Sequence, residues 1–354
     1  FYEYNTSTDK YSTVSNGSAF GLAKGYLIRM PNTWVDYVAA PPSTPLSWTG
    51  TFTGVPNNGP ISYTMSLAGT GLNAVGNPYP STISMDTFIS GNTGNINGTL
   101  YFWRKRNDAT NLTSYSTCTS AGCTLTNGHP YSNTDYISVG QGFIVKATST
   151  TLNFTNTMRL PNNQNQFFKT KLVEKNRIWL NLLNEATPVN QMLLAYMTGA
   201  TMEMDPAIDG AYFNDSQTAL NSLIGNEEFA VQGRALPFDG TDIVPLSFKA
   251  SNSGNYTIAI DHVDGLFSGD QNIILRDNDN GVETDLKAGA YTFAAAAGAT
   301  NTRFSLKYQK TLGTIAPVFD ENSVVVFKNK GEIFIKSNGN AIDNVKIYDI
   351  RGRL

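Results

Sequence analysis

The chain is poor in charged residues and has no long apolar run, and each shortage excludes a class of protein. Asp, Glu, Lys and Arg make up 15% of the 354 residues, against about a quarter in an average globular chain. The 25 basic and 28 acidic residues leave a net charge of −3 and form no dense basic stripe, so no nucleic-acid partner is expected. No apolar stretch reaches the roughly 18–20 residues of a membrane-spanning helix, so the chain is not expected to span a membrane.

Histidine and cysteine are also scarce, with two residues of each. Gly-x-Ser-x-Gly, His-Glu-x-x-His and phosphate-binding glycine motifs are missing, so we expect no enzymatic activity. Cys118 and Cys123 lie in one loop, which favours a local disulfide formed in an oxidising compartment. A pair of free thiols is the alternative, and a metal site is disfavoured because His129 and His262 are far apart in the sequence.

Turn-forming residues are abundant, with 31 Gly and 15 Pro. Between them lie short apolar runs, many with a period of two residues, as in Gly98–Arg104 (GTLYFWR) and Asn255–Ile260 (NYTIAI). This pattern predicts an all-β fold, with two β-sandwich-like modules followed by a partial β-sandwich. One short helix is expected at Ser216–Leu223, with Asp215 or Ser216 as its cap.

The predicted modules span residues 1–165, 170–310 and 321–354. The first boundary falls in the polar segment Leu160–Thr170, and the second falls within Lys310–Asn322. The last module is too short to bury a core of its own. Because Phe1 follows no initiator Met or signal peptide and Leu354 comes just after a predicted strand, we expect the chain to be a fragment of a longer protein.

The last module has a specific motif. Glycine-containing turns separate its apolar runs, which predicts a β-meander, and the run Val345–Leu354 reads VKIYDIRGRL. With Val325-x-x-Lys328 and Ile333–Ile335, this stretch resembles the first part of the type A C-terminal sorting domain of type IX secretion in Bacteroidota. We expect Asp349 to cap a tight turn and Gly352 to supply a positive φ. The resemblance implies a sorting signal made of Val345, Ile347, Tyr348, Asp349, Gly352 and Arg353.

The two larger modules resemble those that often precede such sorting domains in Flavobacterium-type surface proteins. The matching residues include Gly76–Ser81 (GNPYPS) and Gly140–Phe143 (GQGF) in the first module, and Val244–Leu246 and Leu275–Asp277 in the second. The resemblance implies a secreted protein at the cell surface, associated with the outer membrane. Its implied partners are the type IX secretion translocon and the outer-membrane shuttle protein. The resemblance implies location and export route more than activity.

The segment Gly76–Ser81 is the densest turn signal in the chain. Asn77 and Tyr79 each precede a proline and are therefore biased toward extended conformations, which predicts a rigid corner that could contain a cis proline. Two interpretations of Tyr79 are open. It could be a stacking platform in a ligand-facing loop, or it could belong to a structural corner that closes a sandwich.

Two pairs of carboxylates could bind calcium. Asp205 and Asp209 form one pair and Asp277 and Asp279 the other, and carboxylate oxygens are ligands that Ca²⁺ prefers. The second pair fails the EF-hand pattern because Arg276 stands where the first carboxylate is needed. Asp-rich turns without metal are the alternative for both pairs.

Aromatic residues suggest a further class of ligand. Trp34, Trp48, Trp103 and the 17 tyrosines could line a glycan-binding face, because flat rings stack on sugars, or they could belong to the core and to cross-strand pairs. The sequence thus leaves two hypotheses. The first is a non-enzymatic surface protein or adhesin, with a possible surface ligand and a sorting domain. The alternative is one or more carbohydrate-binding β-sandwich modules, alone or accessory to an enzyme encoded upstream.

Overall fold

The computed structural model describes residues 1–15, 17–28, 53–105, 113–124, 136–160, 173–309, 324–337, 341–349, 351 and 353. Contacts divide the chain into two units, Phe1–Lys310 and Thr311–Leu354. Both consist mainly of β-strands and turns, so the all-β prediction is confirmed. Across the described ranges, no helix has the length and apolarity to cross a bilayer. Nearly all of the predicted boundary Leu160–Thr170 lies outside the described residues, as do Trp34, Trp48 and His129.

The first part of the first unit is built around a five-stranded antiparallel sheet with the order β5-β11-β7-β8-β9. A second sheet has the order β2-β1-β3, and β10-β6 and β12-β4 are separate pairs. The strands are β1 (Tyr2–Asn5), β2 (Lys10–Thr13), β3 (Tyr26–Leu27), β4 (Ile61–Thr64), β5 (Leu72–Gly76), β6 (Ile83–Ser84), β7 (Ile96–Lys105), β8 (Thr113–Thr119), β9 (Gly122–Cys123), β10 (Tyr136–Ile137), β11 (Gly142–Ala147) and β12 (Thr151–Phe154). A helix, α1 (Met85–Gly91), and a 3₁₀ turn (Asn156–Met158) complete this part.

The period of two in the sequence sets the two faces of the central sheet. In β7, Leu100 and Phe102 point into the core of this part of the unit, so the alternate residues Tyr101 and Trp103 lie on the opposite face. Helix α1 covers the core side. Its N-cap is Ser84, whose hydroxyl accepts a hydrogen bond from the Thr87 backbone.

The second part of the first unit is an 11-stranded sheet with the order β21-β20-β23-β18-β16-β17-β14-β13-β19-β22, in which β15 also pairs with β17. Its strands are β13 (Lys175–Asn184), β14 (Thr187–Met197), β15 (Gly210–Ala211), β16 (Ala219–Ile224), β17 (Glu227–Arg234), β18 (Ile243–Ala250), β19 (Gly254–Val263), β20 (Ile274–Asp277), β21 (Val282–Asp285), β22 (Tyr291–Ala295) and β23 (Gly298–Lys307). A 3₁₀ turn spans Gly265–Ser268. The rings of Phe248 and Phe293, from strands far apart in this order, lie 5.1 Å apart. The sheet therefore folds over one core as a β-sandwich.

The helix predicted at Ser216–Leu223 is wrong. Most of this segment forms β16, which pairs with β17 on one side and β18 on the other. Consecutive residues from Ala219 to Leu223 are buried, as in a strand covered on both faces. A short apolar run of this kind has no period that separates strand from helix, and pairing with two neighbouring strands decides the outcome.

The hairpin β8–β9 connects the two parts of the first unit. The structure contains the predicted disulfide between Cys118 and Cys123, which are cross-strand partners in this hairpin. Three side chains of β13 donate hydrogen bonds to carbonyl oxygens at the tip of the β8–β9 hairpin. These are Lys175 to Ser120 (2.6 Å), Arg177 to Ala121 (3.3 Å) and Trp179 to Cys123 (2.9 Å).

A loop from the second part makes the other connection. The Ala207 N–H donates to the Asn97 carbonyl (3.2 Å), and the Ala207 carbonyl accepts from the Ser120 N–H (2.9 Å). The Ala207 side chain packs against the core of the first part. Gly98 lies in close contact with Ala207: a Cβ added to Gly98 would stand 2.3 Å from the Ala207 Cα.

The second unit contains the hairpin β24 (Val324–Asn329) and β25 (Glu332–Ser337). Its turn residues Lys330 and Gly331 have φ values of 48° and 91°, consistent with the type I′ geometry that suits a two-residue hairpin. The third strand predicted around Val345–Tyr348 is absent from the described segment 341–349. In this structure those residues have no paired strand beside them, which a strand requires.

Candidate functional site

A cleft of about 660 Å³ lies between the hairpin β1–β2, one face of the central sheet and residues 211–213. Such a volume is within the roughly 300–1,000 Å³ typical of small-molecule sites. Aromatic rings dominate its lining: Tyr4, Tyr11, Tyr101, Trp103, Tyr115, Tyr212 and Phe213. We call this site the aromatic cleft.

The sheet side of the aromatic cleft is held by contacts among its rings. Trp103 and Tyr115 are cross-strand partners on β7 and β8, with ring centroids 5.0 Å apart. Phe213 packs against Tyr115 (4.2 Å) and Tyr101 (4.7 Å), and the Tyr101 hydroxyl donates to the Ala211 carbonyl (3.1 Å). Trp103 remains 39% exposed, so its ring is available to a ligand.

The hairpin side is fixed by one carboxylate. Tyr4 and Tyr11 are cross-strand partners with ring centroids 5.2 Å apart. Asp9 accepts hydrogen bonds from the Tyr4 hydroxyl (2.9 Å) and from the Thr70 hydroxyl (2.7 Å). The second bond ties the hairpin to the loop before β5, so both sides of the cleft are in place without a ligand.

Polar groups among the rings can bind hydroxyl groups of a ligand. Burial raises the pKa of Tyr11 and of Tyr115 above the usual value, and the Tyr115 hydroxyl is hydrogen-bonded to that of Tyr11, which leaves the Tyr11 hydroxyl to donate to a ligand. Asn97 accepts a bond from the Thr99 N–H through Oδ1 (3.1 Å), which leaves its NH₂ group for another acceptor. Lys10 and Lys146 also line the cleft. The arrangement can therefore stack on a flat molecule and hydrogen-bond its edges.

Tyr79 is not part of this cleft. Its side chain is 2% exposed, its hydroxyl donates to the Gly59 carbonyl (2.7 Å), and the Arg159 guanidinium lies 5.3 Å from its ring. A buried ring cannot serve as a stacking platform, so the structural-corner alternative describes this segment. The corner contains no cis proline, whereas the bond Leu236–Pro237 is cis.

The Asp205 and Asp209 carboxylates brace the loop that holds Ala207. All four oxygens accept hydrogen bonds, from Thr201 in the case of Asp205, and from the Asp205 and Gly233 N–H groups in the case of Asp209. Burial raises the pKa of Asp209 to about 6, against the opposing effect of these two N–H groups. In this structure the pair forms a hydrogen-bonded turn.

Asp277 forms a buried ion pair. It accepts hydrogen bonds from Arg303 (2.9 Å), from the Tyr291 hydroxyl (2.9 Å) and from the Asp279 N–H (3.1 Å). Burial alone would raise the pKa of Asp277, but the bonds from Arg303 and Tyr291 hold it below the usual value. Arg303 thus neutralises the charge that calcium would need. Over the described ranges, no three His, Cys, Asp or Glu side chains form a metal-binding group.

The predicted sorting residues lie in the second unit. As expected, Asp349 caps a tight turn, accepting bonds from the Arg351 N–H (2.8 Å), the Arg353 N–H (3.0 Å) and the Arg353 side chain (2.9 Å). The bonds from Arg353, followed by that from Arg351, lower the pKa of Asp349. Gly352 lies outside the described residues. Three other residues of the predicted sorting signal have large side chains that are exposed: Val345, Ile347 and Tyr348.

Sequence reasoning identified Trp103 as a candidate and did not single out the other rings of the cleft. A local signal existed for some of them, because Tyr2 and Tyr4 alternate on one strand and Tyr101 and Trp103 on another. Nothing local indicated that Phe213 would join them, since it lies about a hundred residues away from Tyr115.

The fold and the cleft define an all-β protein with an aromatic-lined cleft. The chain belongs to the family described as Domain of unknown function (DUF8693), whose model matches residues 1–308. A second model, described as Domain of unknown function (DUF8694), matches residues 312–354. The gap between the two matches coincides with the division between Lys310 and Thr311. No curated protein and no solved structure matches the chain.

Proposed function

We propose that the chain is the non-enzymatic binding region of a secreted cell-surface protein, and that the first unit binds carbohydrate in the aromatic cleft. The observation that carries this proposal is the cluster of rings around an exposed Trp103, with hydroxyl and amide groups between them. Aromatic faces stack on the C–H faces of sugars, and the polar groups bond sugar hydroxyls. An adhesin that recognises surface glycans would need such a site.

The lining favours binding over hydrolysis. Asp9 is the one carboxylate among the described residues that line the cleft, and Tyr4 and Thr70 already bond to it. Most glycoside hydrolases use two carboxylates on either side of the scissile bond. This composition supports a lectin-like role for the unit.

Replacing Trp103 with alanine is expected to weaken glycan binding at least about tenfold, because it removes the most exposed stacking ring of the cleft. The measurement is a glycan array with the wild-type chain and the variant, with and without Ca²⁺. The control is Phe327→Ala in the second unit, since Phe327 has the same exposed fraction of 39%. A wild-type chain that binds no glycan, or a Trp103 variant that binds as well as wild type, would contradict the proposal.

We further propose that the second unit is a sorting domain recognised by the type IX secretion translocon and its outer-membrane shuttle protein. Two observations favour this second function. The turn closed by Asp349 presents a fixed shape, and large apolar side chains on the hairpin and on residues 341–349 are exposed. Contiguous exposed apolar surface is typical of protein interaction sites.

The variant Asp349→Ala is expected to leave most of the protein in the periplasm, because the turn loses its three hydrogen bonds to the carboxylate. The measurement is the secreted fraction of the chain in a host with a working type IX system and in one that lacks the translocon. Asp343→Ala is the control, as a neighbouring acidic residue outside the turn. Equal secretion of Asp349→Ala and wild type would rule out a role for this turn, and secretion without the translocon would rule out the export route.

A further inference from the structure

We propose that the aromatic cleft selects saccharides that carry a negatively charged group, a carboxylate or a sulfate, through Lys10 and Lys146. This inference rests on the carbohydrate binding proposed above and adds the chemical class of the ligand. Both lysines line the cleft. Neither has an ion-pair or hydrogen-bond partner among the described residues.

The other lysines of the first unit behave differently. Wherever their side chains are described, each has a partner within the chain: Lys24 with Glu3, Lys175 with the Ser120 carbonyl, Lys249 with Asn214, Lys287 with the Phe267 carbonyl and Lys307 with Glu283. Among the lysines of the unit whose side chains the structure describes, the two in the cleft are therefore the ones without a partner. Two unpaired cations beside a set of stacking rings are what an anionic sugar would need.

The charge of the cleft differs in sign from that of the whole chain. Lys10 and Lys146 contribute +2 and Asp9 contributes −1, which gives the lining a net charge of +1, whereas the chain carries −3. The carboxylate of Asp9 already accepts two hydroxyl hydrogen bonds, so it is occupied in the free protein. The ammonium groups are the charges left to meet a ligand.

The rings and the lysines would have separate effects on affinity. Stacking on Trp103 depends on the flat face of a sugar and is insensitive to its charge, whereas the lysines distinguish an acidic sugar from its neutral counterpart. Both lysines are exposed to solvent, so each charge contact is expected to add only about 0.5–1 kcal/mol. Two such contacts predict a preference of about tenfold for the acidic form at low salt, falling as salt rises.

The test measures affinities of the full chain by calorimetry for two ligand pairs. One pair is oligogalacturonate and its carboxyl-reduced form, and the other is a sulfated galactan oligosaccharide and its desulfated form. We expect at least one acidic member to bind about tenfold more tightly than its neutral derivative. The two pairs distinguish a carboxylate from a sulfate.

The variant Lys10→Gln/Lys146→Gln should lower the affinity for the acidic ligand to that for the neutral one, with circular dichroism unchanged. The control Lys328→Gln/Lys346→Gln removes two exposed charges from the second unit and should have no effect. The salt dependence of wild-type binding gives a measurement that needs no variant.

The outcomes separate the two proposals. If acidic and neutral forms bind equally, or if the double lysine variant binds the acid as wild type does, charge selection is wrong. Sugar binding in the cleft then still stands if Trp103→Ala weakens it about tenfold or more. If no member of either pair binds while the array shows binding of another glycan, charge selection alone is wrong. If the array also shows no binding, or if Trp103→Ala binds sugar as tightly as wild type, the aromatic cleft is not a carbohydrate site and both proposals fail.

Discussion

Replacing Gly98 with alanine is expected to lower the free energy of unfolding of the first unit by about 3 kcal/mol or more. Gly98 has a φ of +83°, and an added Cβ would stand 2.3 Å from the Ala207 Cα and 2.5 Å from its nitrogen. The backbone strain adds about 1 kcal/mol, and the clash adds the larger share because backbone atoms cannot move aside as a flexible side chain can. Urea unfolding followed by circular dichroism measures the change.

The matched control is Gly94→Ala. Gly94 has nearly the same φ, +82°, but an added Cβ would meet nothing within 4 Å, so only the strain of about 1 kcal/mol is expected. The difference between the two variants isolates the contact between β7 and the Ala207 loop. Equal destabilisation of both would show that the Ala207 loop moves aside at no cost and is not held against β7.

Replacing Asp277 with alanine is expected to destabilise the second part of the first unit by about 3 kcal/mol, because it removes the buried partner of Arg303 and leaves only the exposed Asp279 carboxylate, 3.4 Å away, to meet that charge. The side chain of Asp277 has no exposed surface and that of Arg303 is 15% exposed. Arg303 also lies between two rings, 4.7 Å from Phe293 and 4.9 Å from Phe304, so it cannot easily turn to solvent. Thermal and urea unfolding measure the loss.

Asp279→Ala is the control: the Asp279 side chain also meets Arg303, at 3.4 Å, but it is 64% exposed, so its loss should change stability by no more than about 0.5–1 kcal/mol. EDTA and Ca²⁺ should change the unfolding free energy of neither variant nor wild type. A stabilisation of the wild type by Ca²⁺ that disappears in Asp277→Ala would support the calcium interpretation.

Because the pKa of Asp277 is lowered on folding, the ion pair stabilises the fold above the ordinary Asp pKa of about 3.9. This effect is lost as pH falls through the folded value.

Local pattern was sufficient for many of the strands. The run GTLYFWR gave the strand β7 and the alternation that sends Phe102 into the core and Trp103 to the other face. The Asn-Lys-Gly turn gave the hairpin of the second unit, because Lys330 and Gly331 accept the positive φ values that a tight turn requires. Local pattern failed at Ser216–Leu223, where two neighbouring strands converted a plausible helix into β16.

Candidate sites were harder to predict. Asp349 capped its turn as expected because its bonds reach only as far as residue 353. Asp277 could be read as a metal ligand or as a hydrogen-bonded turn, and the sequence could not choose, since its partner Arg303 lies on another strand. Tyr79 was ambiguous for the same reason, as its burial depends on Gly59 and Arg159.

The sequence by itself determined the β class of this protein, the positions of many turns and the pairing of its two cysteines, because these depend on residues close together in the chain. The tertiary structure alone decided the aromatic cleft. Its walls come from the N-terminal hairpin, from the strands that carry Trp103 and Lys146, and from residues 211–213. Contacts between such distant segments leave no local period or spacing in the sequence, and they form only when the sheets pack and bring those faces together.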